Sequence, residues 1–165
     1  MAKSYKSKAV KVKSGITRRS DAEIDLIAAL LLRFPQPSLP TRHAFAGGMY
    51  RREMAIPKGC LLVGEIHRKE HFFEVTAGRI AVFDDANGWQ VLTAPFAGVS
   101  KPGVRRVGYA LESARCVTME RTDKRTVKAA EKELLEPRKI KAMSDKNFEL
   151  FCQCETNSTL KLLPE

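Results

Sequence analysis

The sequence predicts a mainly β fold: a single jelly-roll barrel with a short N-terminal helix, a C-terminal helix and a basic N-terminal arm. Three observations carry this reading. Eight short apolar runs, at 49–56, 60–66, 71–76, 79–84, 89–93, 96–100, 104–110 and 114–120, follow one another at even spacing between turn signals. Helical periodicity occurs only outside them, after Ser20 and after Thr122. Seven of the 29 Lys and Arg side chains fall in residues 1–19, which contain no acid. Strands in such number leave edges exposed, and closing them into a barrel is the simplest protection.

The arm, 1–19, holds Lys3, Lys6, Lys8, Lys11, Lys13, Arg18 and Arg19. It carries +7 of the net +10, and the rest of the chain is nearly balanced, with 22 basic against 19 acidic side chains. It has no hydrophobic period and is expected to be disordered when free. Its charge suits phosphates. Only Tyr5 could stack on a base, so sequence-specific reading is not expected. An acidic protein surface, or plain solvation, fits the same residues.

The segment 20–42 opens with Ser20-Asp-Ala-Glu23, a capping box that starts a helix. Ile24, Leu26, Ile27, Leu30 and Leu31 form its apolar stripe. Pro35, Pro37 and Pro40 end it and hold the following link extended. The barrel is expected over 43–122. Within it Ala77-Gly78 is a tight corner, and Asp85-Ala-Asn87-Gly88 is a hairpin turn whose Asn-Gly tolerates positive φ. From 123 to 165 the period returns toward helix through Val127, Ala130, Glu131, Leu134 and Leu135 as far as Pro137. The remainder, with Phe148, Leu150 and Phe151 and then Leu160, Leu162 and Leu163, is weakly patterned and expected to be an appendage.

The chain of 165 residues suits one domain. Its longest apolar run, Leu26 to Leu32, falls well short of the roughly 20 residues of a membrane span, and no secretory leader is apparent. Cys60 and Cys116 lie in apolar runs as core residues, while Cys152 and Cys154 are expected on one face of a strand. No zinc-ribbon spacing, G-x-S-x-G elbow or phosphate loop occurs, and no catalytic residue is assigned.

Residues 59–78 place Gly59, Glu65, His67, His71 and Gly78 at the spacing G-x5-H-x-H-x3-E-x6-G. This resembles the first motif of the cupins, with Glu65 at the first His position and His71 at the Glu position. Near Lys101-Pro102-Gly103 the chain resembles a degenerate second motif, with Arg106 at the metal-binding His and Ala110 at the Asn. Residues 39–135 are also similar to small cupin-like proteins of tailed bacteriophages, through Leu39-Pro-Thr-Arg-His43, Met49-Tyr-Arg-Arg-Glu53, Gly64-Glu-Ile-His67 and Pro102-Gly-Val-Arg-Arg106. The resemblance implies a jelly-roll core and a phage source, hence a virion or the host cytoplasm. It implies no activity.

On a strand, Glu65 and His67 share a face, and His71 would join them from the next strand. Two imidazoles and a carboxylate suit iron, manganese or zinc. Arg106, a permanent cation in the fourth-ligand position, argues against a metal and could pair with Glu65 instead. The pocket is therefore expected to be metal-free, without a cofactor. His43 is expected to be an ordinary loop histidine. The leading expectation is a non-enzymatic protein acting through protein–protein contacts, as a virion component or by binding a host protein. A homo-oligomer, a metal-dependent cupin enzyme using Glu65, His67 and His71, and nucleic-acid binding through the arm are the alternatives. No membrane association is expected.

Overall fold

The computed structural model describes residues 10–11, 21–84 and 88–157. The cationic positions Lys3, Lys6, Lys8, Lys13, Arg18 and Arg19 lie outside them, as do the turn residues 85–87. In chain order the elements are β1 (Val10–Lys11), α1 (Asp21–Leu31), β2 (Thr41–Ala46), β3 (Met49–Ile56), β4 (Leu61–Val63), β5 (Ile66–His67), β6 (His71–Ala77) and β7 (Arg79–Asp84). They continue with β8 (Gly88–Thr93), β9 (Phe96–Ser100), β10 (Val107–Ala110), β11 (Ala114–Arg121), α2 (Val127–Leu134), β12 (Leu135–Glu136) and α3 (Asp145–Asn157).

The strands form two five-stranded antiparallel sheets, ordered β1-β8-β7-β10-β4 and β2-β3-β11-β6-β9, and a small pair, β12-β5. Neither sheet closes on itself, so the expected closed jelly-roll barrel gives way to an open sandwich. One of the open edges is at β4. The predicted run 60–66 splits at Gly64-Glu65, and 104–110 shrinks to β10. There the backbone bonds leave the ladders: Gly64 N–H donates to the Arg106 carbonyl at 2.8 Å, and Gly103 N–H to that of His67 at 2.9 Å.

The core lies between the sheets. Ile56, Val75 and Ala114 from one sheet meet Ile80, Val82, Leu92 and Ala110 from the other. The outer face of β7 is covered as well, because Ile24 of α1, fully buried, packs on Ala81, Phe83, Trp89 and Val107. β7 therefore reads as a continuous apolar run rather than an alternating one. Asp25 of α1 is ion-paired with the buried Arg105 and, at 2.5 Å, with Arg138. These pairs fix the helix to the sandwich.

The corner between β6 and β7 turns at Gly78, where φ is +72°. His43 lies in β2 rather than a loop, its Nδ1 2.8 Å from the Tyr50 hydroxyl. α2 is capped by Thr126, whose hydroxyl accepts from Ala129 N–H at 3.4 Å. Its Ala130 and Leu134 close over Tyr50. Cys152 belongs to the helix α3, not to a strand, and is exposed. Among the described residues no helix is long and apolar enough to cross a membrane.

Candidate metal centre

Strand alternation builds the site. On β6 the side chains of His71, Phe73 and Val75 share the inward face. On the neighbouring strand β11, Cys116, Thr118 and Glu120 do the same, and the register Met119↔Phe72 sets Glu120 beside His71. The two imidazoles stack with centroids 4.0 Å apart and 26° between planes. His67 comes from the short strand β5, which is held from outside the sandwich by β12 through Leu135↔His67. Arg68 reinforces that pairing, its N–H donating to the Leu134 carbonyl at 2.8 Å and its Nε to that of Leu135 at 2.9 Å.

His67, His71 and Glu120 form one cluster, with a donor atom from each lying within 4.8 Å of the others. Two donors of one ion, each at about 2.1 Å, stand at most about 4.2 Å apart. Small side-chain rotations would therefore bring all three onto a common ion. The side chains of His71 and Glu120 are each only 2% exposed. His67 Nδ1 and Glu120 Oε1 are 2.9 Å apart, an ion pair when the imidazole is protonated, and His71 Nδ1 lies 3.9 Å from the same oxygen; neither His67 Nδ1 nor Glu120 Oε1 makes a well-aligned hydrogen bond. A proton between the two atoms satisfies this buried pair, and so does a cation that both ligate.

The tautomer of His71 agrees with this. Its Nδ1 lies 3.2 Å from the Lys69 carbonyl, toward which the ring can only donate, and 3.9 Å from Glu120 Oε1, so the lone pair of the neutral ring is on Nε2. Burial lowers the His71 pKa and the neighbouring His67 lowers it further, against the opposing pull of the Lys69 carbonyl and Glu120. The neutral imidazole is the ligating form. A second layer steadies the end of β11: Thr122 Oγ1 donates to Glu133 of α2 at 3.0 Å, and Glu133 in turn pairs with Lys69.

The cluster borders a cavity of about 200 Å³ between the sheets. Met54, Ile56, Leu62, Ile80, Val82 and Cys116 line its apolar part. Glu65 lines the same cavity but is exposed, at the mouth. The carboxylate gathered with the two imidazoles is Glu120. Arg106 also lines the cavity. Its Nη1 donates to Ser100 Oγ at 2.7 Å, its Nε lies 3.8 Å from Asp84, and its guanidinium sits over the Phe73 ring. Burial lowers the Arg106 pKa, and Asp84 opposes that shift.

These contacts correct two expectations. The pocket was expected to be metal-free because Arg106 occupies a ligand position. The donor set is instead completed by Glu120, from a strand outside the motif, and Arg106 is turned to Ser100 and Asp84. The reading as a non-enzymatic virion component that acts only through its surfaces falls with it, since a buried cluster able to hold a metal ion and opening on a cavity has no place in that account. Glu120 lies outside the motif frame, but alternation was a usable signal, because a charged residue in register with Cys116 and Thr118 must face inward.

No protein-family model matches the chain, and no curated protein matches it in sequence. Solved structures share parts of it. KdgF from Halomonas sp. aligns at 14% identity and a TM-score of 0.46, over 54% of this chain and 84% of that one. An RmlC-like cupin family protein from Methanocaldococcus jannaschii aligns at 6% identity and a TM-score of 0.45, over 52% and 81%. An RmlC-like cupin from Shewanella frigidimarina aligns at 21% identity and a TM-score of 0.37, over 48% and 81%. At such scores the likenesses assign neither a family nor an activity. None of the three is a phage protein, and the resemblance to phage proteins gains no support from them.

Proposed function

We propose that the protein is a metal-dependent enzyme of cupin-like fold that holds one divalent transition metal through His67, His71 and Glu120 and acts on a small molecule in the adjoining cavity. The observation that carries this reading is the buried cluster itself, in which ligand atoms of His67, His71 and Glu120, one from each, lie within 4.8 Å of one another. Two imidazoles and one carboxylate leave coordination positions open, as a catalytic site requires, and suit iron(II), manganese or zinc. Bound there, the metal would supply Lewis-acid polarisation of a ligand oxygen or, as iron, a centre for oxygen chemistry. The chain supplies the rest. The Lys69 carbonyl orients His71, β12 fixes the strand bearing His67, and the cavity wall beside the cluster is largely apolar.

The test is elemental analysis of untagged protein, as purified and after stripping and reloading with each metal, together with thermal melts. Near one equivalent of metal, lost in His71→Ala and Glu120→Gln, is expected. A metal present at a hundredfold excess over its Kd should stabilise the fold by about 2.7 kcal/mol. Absence of bound metal after loading, with unchanged melting, would overturn the proposal.

A further inference from the structure

Two arginines face the same cavity, and the metal cluster makes no use of them. Arg52 lies on β3 between His43 and Thr118 in register and lines the cavity. Its Nε is buried and makes no hydrogen bond. Arg106 enters from the opposite sheet side, before β10, and makes one side-chain hydrogen bond among the described residues, to Ser100. A guanidinium carries five N–H donors, so both groups hold donors in reserve. Among the described residues the lining holds one acid, Glu65, exposed at the mouth, and Glu120 stands directly behind His67, at 2.9 Å. Asp84 faces Arg106 from an adjacent, smaller cavity, at 3.8 Å. The buried Nε of Arg52 is thus a donor on a cation that nothing among the described residues answers, and a low dielectric makes such a donor attractive to an anion. The remaining wall, including Ile56, Leu62, Ile80 and Val82, is apolar.

We infer that the cavity binds a small organic monocarboxylate, its carboxylate between Arg52 and Arg106 and its short carbon chain against the apolar wall. The planar fork of a guanidinium matches a carboxylate in geometry as well as charge. A volume of about 200 Å³ suits a short-chain acid rather than a nucleotide or an oligosaccharide. A dianion would bring a second charge into a wall that offers mostly hydrocarbon. This inference deepens the proposed function by naming the class of molecule set beside the metal. It rests on that reading for the acid's role as substrate, and not for its binding.

The experiment therefore uses full-length protein stripped of metal and exchanged out of chelator, so that either reading can fail alone. Calorimetric titrations and thermal melts compare sodium butyrate, hexanoate, butyramide and inorganic phosphate. Butyrate or hexanoate should bind and raise the melting temperature, butyramide should not, and Arg52→Gln should weaken acid binding at least tenfold. Equal binding of butyrate and butyramide, a response to phosphate alone, or no response to either acid would overturn the inference. The comparison of acid with amide needs no variant, so it stands even if Arg52→Gln does not fold. Metal-free protein that binds butyrate but never takes up metal would sink the enzyme proposal and leave the acid site in place.

Discussion

Gly78 lies against the backbone of Ser113 so closely that a Cβ built on it would meet the Ser113 carbonyl oxygen at 2.1 Å. Its φ of +72° independently excludes a β-branched side chain. Gly78→Val should therefore cost more than strain alone, on the order of 3 kcal/mol or above, since the strand corner must move as well. Gly78→Ala should lose nearly as much. Chemical denaturation of both variants checks this, and a midpoint within error of the parent would mean that the corner is not where the structure puts it.

Glu65 and Glu120 make opposite predictions. Glu65→Gln, at the mouth, should leave metal affinity within about twofold, whereas Glu120→Gln should lower it at least tenfold, the scale of one lost ligand or its close support. Without metal the order of stability should reverse. Glu120 is then a buried carboxylate without adequate compensation, so Glu120→Gln should be no less stable than the parent and up to about 1 kcal/mol more stable. Melts in the presence and absence of the metal read both effects.

Asp25 gives the chain an acid-side sensitivity. Burial acts to raise its pKa, but the hydrogen bond from Arg105 and the charges of Arg105 and Arg138 outweigh it, holding the carboxyl below its usual value of 3.8. A folded-state pKa lowered in this way contributes stability that is full above about pH 4–5 and is lost as pH falls through the folded value. Asp25→Asn should cost about 1–2 kcal/mol near pH 7, less than a fully buried pair would, because Asp25 keeps a third of its side chain exposed. The gap between variant and parent should narrow as pH drops below 4. A gap that is constant from pH 7 to pH 3 would contradict the pairing.

Cysteine reactivity should separate sharply. Burial pushes the Cys116 thiol up to about 12, while Cys152 on α3 is exposed. In native protein at pH 8, iodoacetamide should modify Cys152 within minutes and leave Cys116 intact until denaturant is added. Peptide mass mapping reports the order, and early labelling of Cys116 would show that the cavity wall opens.

The strands were legible because short apolar runs bounded by turn residues are a local signal. The runs 79–84 and 96–100 coincide with β7 and β9, and 49–56 with β3. The helix α1 was announced by its capping box. The open corner was not legible, because it depends on where Gly64 and Gly103 send their backbone donors, and those partners are distant in sequence. The same holds for the metal centre. Both histidines stood out by spacing, but Glu120 reaches them only through the pairing of β11 with β6. α3 was missed because Phe148, Leu150 and Phe151 give no clean helical stripe.

The pairing of Leu135 with His67 also sets a timetable. A nascent chain presents both imidazoles early and Glu120 later, but the strand that fixes His67 is not available until Glu136 has cleared the ribosome. Contacts between segments so far apart in sequence form late, after loop closure has been overcome. A metal offered during synthesis would meet two loosely held histidines first, and the full three-donor cluster only once this part of the chain is made.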